Sequence, residues 1–284
     1  MASDQGPAVQ SAILRGELVR VRKDRGLTQQ QVAAALEWSP SKLIRVEGGG
    51  SSITKVDLDA LLSEYGVTSE SYRERLQALN RGARERAWWD RYKDDVSPTY
   101  LRYVGFEAGA AFIRQFQIGF IPGLLQTAEY AEVVTAISPL DPDQIKVIVD
   151  LRLRRQAELG QRSVPPRQYF VLDEAVIRRH IGIKKDRAIM PAQLRSVADR
   201  AEQDDLVTVR IVPFRAGDYP GIDPFILLEF EAGLSDVLYL DPDLVTDSDF
   251  RIPERAENFE KLLEEALSAE ESIKLIRDTA EGMS

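Results

Sequence analysis

The 284 residues are enough for one large domain or two modest ones, at about 100–200 residues each. Hydrophobic residues make up 44% and charged residues 29%, which suits a buried core under a solvated surface, and no run approaches the ~18 apolar residues of a membrane span. Cysteine is absent and His180 is the only histidine, so disulfides and thiolate metal sites are excluded, and metal-dependent or serine-protease-type hydrolysis has almost nothing to build on.

The start, MASDQGPAVQ, has neither the charged lead nor the apolar stretch of a secretory signal, and with the missing cysteines it points to the cytoplasm. The net charge of −9 hides an asymmetry. Between Ser11 and Lys55 stand eight basic and four acidic residues, so the rest of the chain carries −13. A small basic head on an acidic body is what a local polyanion-binding module looks like.

The first eighty residues read as short helices with sharp punctuation. Ile13, Leu14, Leu18 and Val21 recur at helical spacing, and Gly26 ends that helix. Thr28 is the expected N-cap of a second helix, with Gln31 completing a capping box and Val32, Ala33 and Leu36 forming its apolar side. Ser39-Pro40 starts a third, from which Leu43 and Val46 face inward, and Gly48-Gly49-Gly50 stops it. A fourth runs from about Val56 to Tyr65, and Thr68 is the expected cap of a fifth reaching Leu79.

Residues 81–96, with Trp88-Trp89 among many charges, read as a helical connector that pins two domains together. Beyond it, Ser97-Pro98 caps a helix to about Gly109, AFIRQFQIGF alternates as a strand, Pro122-Gly123 turns the chain, and TAEYAEVVTAI is helical. Residues 142–160 alternate like a strand, yet Asp141-Pro142 is a helix start and Gly160 a helix stop, and the stretch is too long for a strand; a helix is expected. RQYFVLDE, LVTVRIVPF, PFILLEF and VLYL are β-rich runs, interrupted by a helix around 191–202. The last thirty residues form one amphipathic helix with Phe259, Leu262, Leu263, Ala266 and Leu267 on one side.

The segment Gln29–Gly48 fits the helix-turn-helix pattern position by position. Two helices crossing over a short turn need a small residue at closest approach, the fifth position, and it is Ala33. The apolar positions hold Val32, Leu36, Trp38, Leu43 and Val46. The ninth, where a left-handed backbone favours glycine, is Glu37, a departure costing about 1 kcal/mol. In such a unit Gln29, with Gln30 beside it, opens the second helix against phosphate, while Ser39, Ser41, Lys42 and Arg45 stand on the third where side chains meet base edges. Arg22 adds electrostatic support from the first helix and, like Lys42, is not expected to fill the core.

RKDRGLTQQQVAAALEWSPSKLIRVEGG resembles the helix-turn-helix of phage-repressor and xenobiotic-response-element type regulators. RERAWWDRYKDDVSPTYLRYVGFEAGAAFIRQFQIGFIPGLLQTAEYA, and later VDLRLRRQAEL, VLDEAVIRR and VTVRIVPFRAGDYPGIDPFILLEF, are similar to an actinobacterial C-terminal domain of unassigned chemistry. The pairing resembles antitoxin-like transcriptional regulators, whose genes often neighbour one for a small partner protein. It implies a DNA-binding regulator. The expected fold is α+β: an all-α, five-helix, lambda-repressor-like head at 11–80, a connector at 81–96, and at 97–284 an α+β body with a small, mostly antiparallel sheet and a C-terminal helix. Glycines after the third helix stand where the family often carries basic residues, which weakens the expected phosphate anchoring there.

In the body, Pro122, Gly123, Leu124, Leu125 and Gln126, with Ile121 and Thr127 around them, are the best candidates for a ligand or partner site, against the plainer reading of a core turn. Arg152, Arg154 and Arg155 form one basic cluster, and Arg178, Arg179, His180, Lys184, Lys185 and Arg187 another, both read as surface or ion-paired faces. No nucleophile–base pair, working carboxylate pair or phosphate loop occurs, so neither an enzyme nor a cofactor or metal is expected. The expected partners are operator DNA, a second copy of the chain, and either a small ligand or a small neighbouring-gene protein. One short recognition helix reads too few base pairs alone, hence the dimer.

Overall fold

The computed structural model describes residues 6–219, 223–231, 234–241, 243–245 and 250–283. Two compact units meet in the chain between Asp90 and Arg91, within the span expected as a connector. That span is not a continuous helix: after Gly82 the chain turns, and Trp88–Tyr92 form a 3₁₀ turn in which Trp88 and Trp89 meet edge to face at 5.4 Å.

The head has five helices: α1 (Pro7–Asp24), α2 (Gln29–Ala35), α3 (Pro40–Gly48), α4 (Lys55–Glu64) and α5 (Glu70–Gly82). Their starts follow from side-chain caps that satisfy otherwise orphaned backbone N–H groups. Thr28 and Gln31 close a reciprocal capping box on α2, Ser39 accepts from Lys42 N on α3, and Thr54 caps α4. Ser69, one residue past the expected Thr68, caps α5. Val32, Ala33, Leu43, Val46, Leu58 and Leu61 are buried between them.

One charged group lies inside this apolar frame. Glu47 of α3 is buried and accepts a bidentate pair from Arg22 of α1, at 2.7 and 2.9 Å. Gln29 of α2 donates to the same carboxylate at 2.8 Å, and Tyr65, at the end of α4, donates at 3.1 Å. Arg22 also donates to Leu27 O at 2.8 Å, fixing the loop before α2. Four of the five helices are thus tied at one carboxylate.

The body is built on a six-stranded sheet. In chain order come α6 (Pro98–Glu107), β1 (Phe112–Gln117), α7 (Ala128–Thr135), α8 (Pro142–Gly160), β2 (Arg167–Asp173), α9 (Glu174–Arg178), α10 (Ile189–Gln203), β3 (Val207–Val212), β4 (Phe225–Glu229), β5 (Val237–Leu240), β6 (Asp243–Val245), α11 (Arg251–Glu265) and α12 (Ala269–Gly282). The strand order is β3-β2-β1-β4-β5-β6. The ladders β1–β4, β4–β5 and β5–β6 are antiparallel, the expected majority, while β1–β2 and β2–β3 are parallel. Parallel pairs need long crossovers, and α7–α8 and α9–α10 are those crossovers.

Alternation along each strand sends residues to opposite faces. Phe116, Val171, Val212, Phe225, Leu227 and Leu238 face α11 and pack on Phe259 and Leu262. The 142–160 segment is α8, opened by an Asp141–Gln144 capping box. The single C-terminal helix of the sequence reading is two. Leu267 N donates to Ile211 O at 2.9 Å, and Arg210 donates to the carbonyls of Leu267 and Ala266 at 2.6 and 2.7 Å. The backbone of the break covers the edge strand β3, and Ser268 with Glu271 then restarts the chain as α12. Among the described residues no helix is long and apolar enough to cross a membrane.

The body has its own buried ion pair. Arg155 of α8 donates Nε to Glu107 Oε1 at 2.7 Å and Nη2 to Oε2 at 2.5 Å, both side chains being almost wholly buried. Tyr103 donates to the same carboxylate, and Arg155 donates to the hydroxyls of Tyr100 and Tyr103 at 2.6 and 2.9 Å. Burial opposes the Arg155 charge, but Glu107 and the tyrosines outweigh it and hold the guanidinium's pKa well above its ordinary value.

Removing one partner of a buried pair strands the other charge, which costs about 3–5 kcal/mol. Arg22→Ala is therefore expected to unfold the head at markedly lower temperature, and Glu107→Gln to do the same for the body, each read as a separate thermal transition. For Arg22 this reverses the sequence-based expectation of an unchanged melting temperature. An Arg22→Ala melt superimposable on wild type would show that the Glu47 network does not hold the head.

Candidate functional site

The turn between α2 and α3 departs from glycine at Glu37, and Glu37 is the one non-glycine at positive φ (53°) among the described residues. The left-handed turn is therefore kept without the glycine, and it aims α3 away from α2. Leu43, Val46 and Glu47 of α3 point inward. Ser41, Ile44, Arg45 and Gly48 are exposed and fall at helical spacing on its other side. This outward stripe is the surface a groove of DNA would meet.

The sequence-selected residues divide on this geometry. Ser39 and Ser41 are exposed, with their hydroxyls 3.2 Å apart, and Ser39 also caps α3. Arg45 is exposed one turn beyond Ser41, and Gln30 is exposed at the start of α2. Lys42 is drawn sideways: its Nζ donates to Asp57 Oδ1 at 2.9 Å and sits 3.8 Å from the centre of the Trp38 ring. Gln29 gives its amide to Glu47 rather than facing outward freely. Arg22, expected to lend charge at the surface, has its guanidinium on Glu47 and Leu27 O. It is a framework residue of the head.

Two contributors were not read from the sequence. Ile44 is 52% exposed in the middle of the α3 stripe, where an apolar side chain suits a thymine methyl group. A β-branched apolar residue on the outward side of a short helix is the signal that marks it. Arg15 of α1 reaches the glycine loop after α3. It donates to Gly48 O at 3.4 Å, and a Cβ at Gly49, which is left-handed at φ 79°, would lie only 1.4 Å from its Nη1. Glycine is needed there for both reasons, and Arg15 brings to the loop the positive charge that its own residues lack.

In the body, the 121–127 segment is held as a rigid turn. Tyr130 OH accepts from Ile121 N at 3.1 Å, and Gln126 donates to Ile121 O at 2.7 Å. Gln156 donates to the carbonyls of Gly123 and Gln126, both at 2.9 Å. Gln193 donates to Leu125 O and accepts from Thr127 N, both at 2.7 Å, and Arg200 donates to Leu124 O at 2.8 Å. Leu124 and Leu125 are core residues. Ile121, Pro122, Gly123 and Gln126 instead line a cavity of about 320 Å³, together with Arg152 and Arg155. The 152–155 cluster is thus mostly an interior feature, with only Arg154 paired along the helix, to Glu158. His180 is half-buried, and its Nε2 lies 3.0 Å from Arg187 O.

A helix-turn-helix domain family matches residues 13–76, which contain α2, α3 and the outward stripe. A second family, described as a domain of unknown function (DUF5753), matches residues 100–278, well over half of the chain. No curated protein and no solved structure matches the chain. The head matches a helix-turn-helix domain family, and through its body the chain belongs to the DUF5753 family.

Proposed function

We propose that the protein is a sequence-specific transcriptional regulator of the xenobiotic-response-element type, working in the cytoplasm as a homodimer on operator DNA. The observation that carries this reading is the exposed stripe Ser41, Ile44, Arg45 on α3, set by a helix-turn-helix core within the basic part of the chain. Arg45 takes guanine O6 and N7 or an adjacent phosphate, Ser39 and Ser41 take base edges or phosphate, and Ile44 takes a thymine methyl. Gln30 and Arg15 meet the phosphate backbone and set the register. Lys42 contributes charge near the groove while tied to Asp57.

The body acts by binding rather than by catalysis, and its occupancy adjusts the head. The resemblance to actinobacterial antitoxin-like regulators suggests a small partner protein as that occupant. The cavity beside the 121–126 turn favours a small molecule.

Binding to a selected operator and to scrambled DNA, each at two salt concentrations, tests the residue roles. Arg45→Ala is expected to cost about 1–3 kcal/mol on the operator and to relax preference at one base position. Arg15→Ala is expected to weaken all sequences alike and to lower the salt slope by about one unit. Intact folding with both affinities untouched by Arg45→Ala and Ser41→Ala together would remove α3 as the reader. Light scattering of the free chain is expected to give a dimer mass, matching half-sites about 34 Å apart. A 91–284 fragment, carrying most of the acidic excess, is expected not to bind duplex DNA.

A further inference from the structure

The body cavity of about 320 Å³ lies on the sheet face opposite α11, and its floor is one row of paired residues across three strands: Gln115 of β1, Ile226 of β4 and Tyr239 of β5. Tyr100 and Tyr103 of α6 wall it, and Arg152 and Arg155 of α8 close one end. Tyr103 and Tyr239 stack with ring centres 4.4 Å apart and planes within 20°.

Two features of this cavity lack a partner of their own. Gln115 is only 4% exposed, and among the described residues its side-chain amide has no hydrogen-bond partner; Gln117, two residues along the same face, has none either. Neither amide is sealed in the core: both open onto the cavity, where a ligand can meet them. The second feature is charge. Arg155 is neutralised by Glu107, but the partners of Arg152 are neutral groups: Thr135 Oγ1 at 2.8 Å, the Tyr100 hydroxyl and, more weakly, Gln126 Oε1 at 3.3 Å and Ala131 O at 3.5 Å. Burial lowers the Arg152 pKa, and the Arg155 charge beside it pushes the same way. Asp241 stands at the exposed rim, where it accepts from Tyr239 OH at 3.0 Å, and it pairs with neither guanidinium. Two guanidinium groups against one buried carboxylate leave one positive charge for a ligand to meet.

We propose that the cavity binds a small planar monoanion, an aromatic or heteroaromatic carboxylate. Its carboxylate pairs with Arg152, its ring lies against the tyrosines, and its polar ring atoms or substituents meet the amides of Gln115 and Gln117. One uncompensated charge selects a monoanion, and an arginine fork matches a carboxylate. The aromatic walls favour a flat apolar body, and the volume is at the small end of ligand pockets, which run to about 1,000 Å³. The binding claim stands without DNA, whereas its regulatory meaning rests on the reading of the body as a sensing unit.

Calorimetric titration of the full chain with benzoate, salicylate, anthranilate and nicotinate is the test, with benzamide, cyclohexanecarboxylate and inorganic phosphate as contrasts. At least one aromatic carboxylate is expected to bind with Kd below about 1 mM, and the contrasts about tenfold more weakly or worse. Arg152→Gln is expected to weaken the best ligand at least about tenfold, with Arg152→Lys recovering part of the loss. Gln115→Leu, which fills the same space without an amide, is expected to weaken it about fivefold, and it carries the test if Arg152→Gln does not fold. No binding by any aromatic carboxylate overturns the proposal. So does phosphate binding as tightly as the best of them, or undiminished binding by a folded Arg152→Gln or, in its place, Gln115→Leu. Operator affinity is then measured with and without the best ligand. Binding that leaves operator affinity unchanged upholds the cavity and overturns the sensing reading, while failure of binding overturns the cavity and leaves the DNA-binding reading standing.

Discussion

The head depends on a carboxylate almost cut off from water. Glu47 sits on the inward side of α3 and draws donors from α1, α2 and the end of α4. A buried anion is tolerable only when every acceptor site is used, and here the fork of Arg22, an amide and a phenol use them. Directional bonds from three neighbours also fix the rotation of α3 about its own axis, which apolar packing alone does loosely. That rotation decides which side chains face outward, so the stripe of Ser41, Ile44 and Arg45 is set by a residue on the buried side of the helix.

The body repeats the device with different geometry. Glu107 and Arg155 join α6 to α8 under a lattice of tyrosine hydroxyls. In the head the pair is sealed among helices; in the body it forms the end of a cavity, with a second guanidinium alongside. The same chemistry is closed in one unit and open in the other. This difference separates a framework network from one able to accept a further anion.

Much of this was legible in the sequence wherever the determinant was local. The Thr28 and Asp141 capping boxes, the Ser39-Pro40 start and the left-handed turn at Glu37 each depend on a few neighbouring residues. The cap and stop around 142–160 rightly outweighed an alternating pattern. What escaped was set by distant partners. Arg22 and Glu47 are twenty-five residues apart, and each alone reads as an ordinary surface charge. The C-terminal break escaped because its apolar period runs on through Leu267, and only the edge of β3 interrupts it. Strand–helix–strand alternation was present at β1–β2–β3, yet hairpin-like spacing in the second half of the sheet hid it. Gln115 sits in an alternating strand where polar residues read as solvent-facing, and only the stacked helices reveal that this face is covered.

The rigid 121–127 turn has a consequence for the order in which the body assembles. Its backbone is pinned by Gln193 and Arg200, 66 to 76 residues further along the chain. Loop closure over such distances loses entropy before any of those bonds can form. The turn and the pocket edge it provides therefore take their final shape only after α10 has docked. During synthesis, β1 and its crossover helices leave the ribosome well before the residues that will clasp them, and the ligand site is among the last parts of the body to exist.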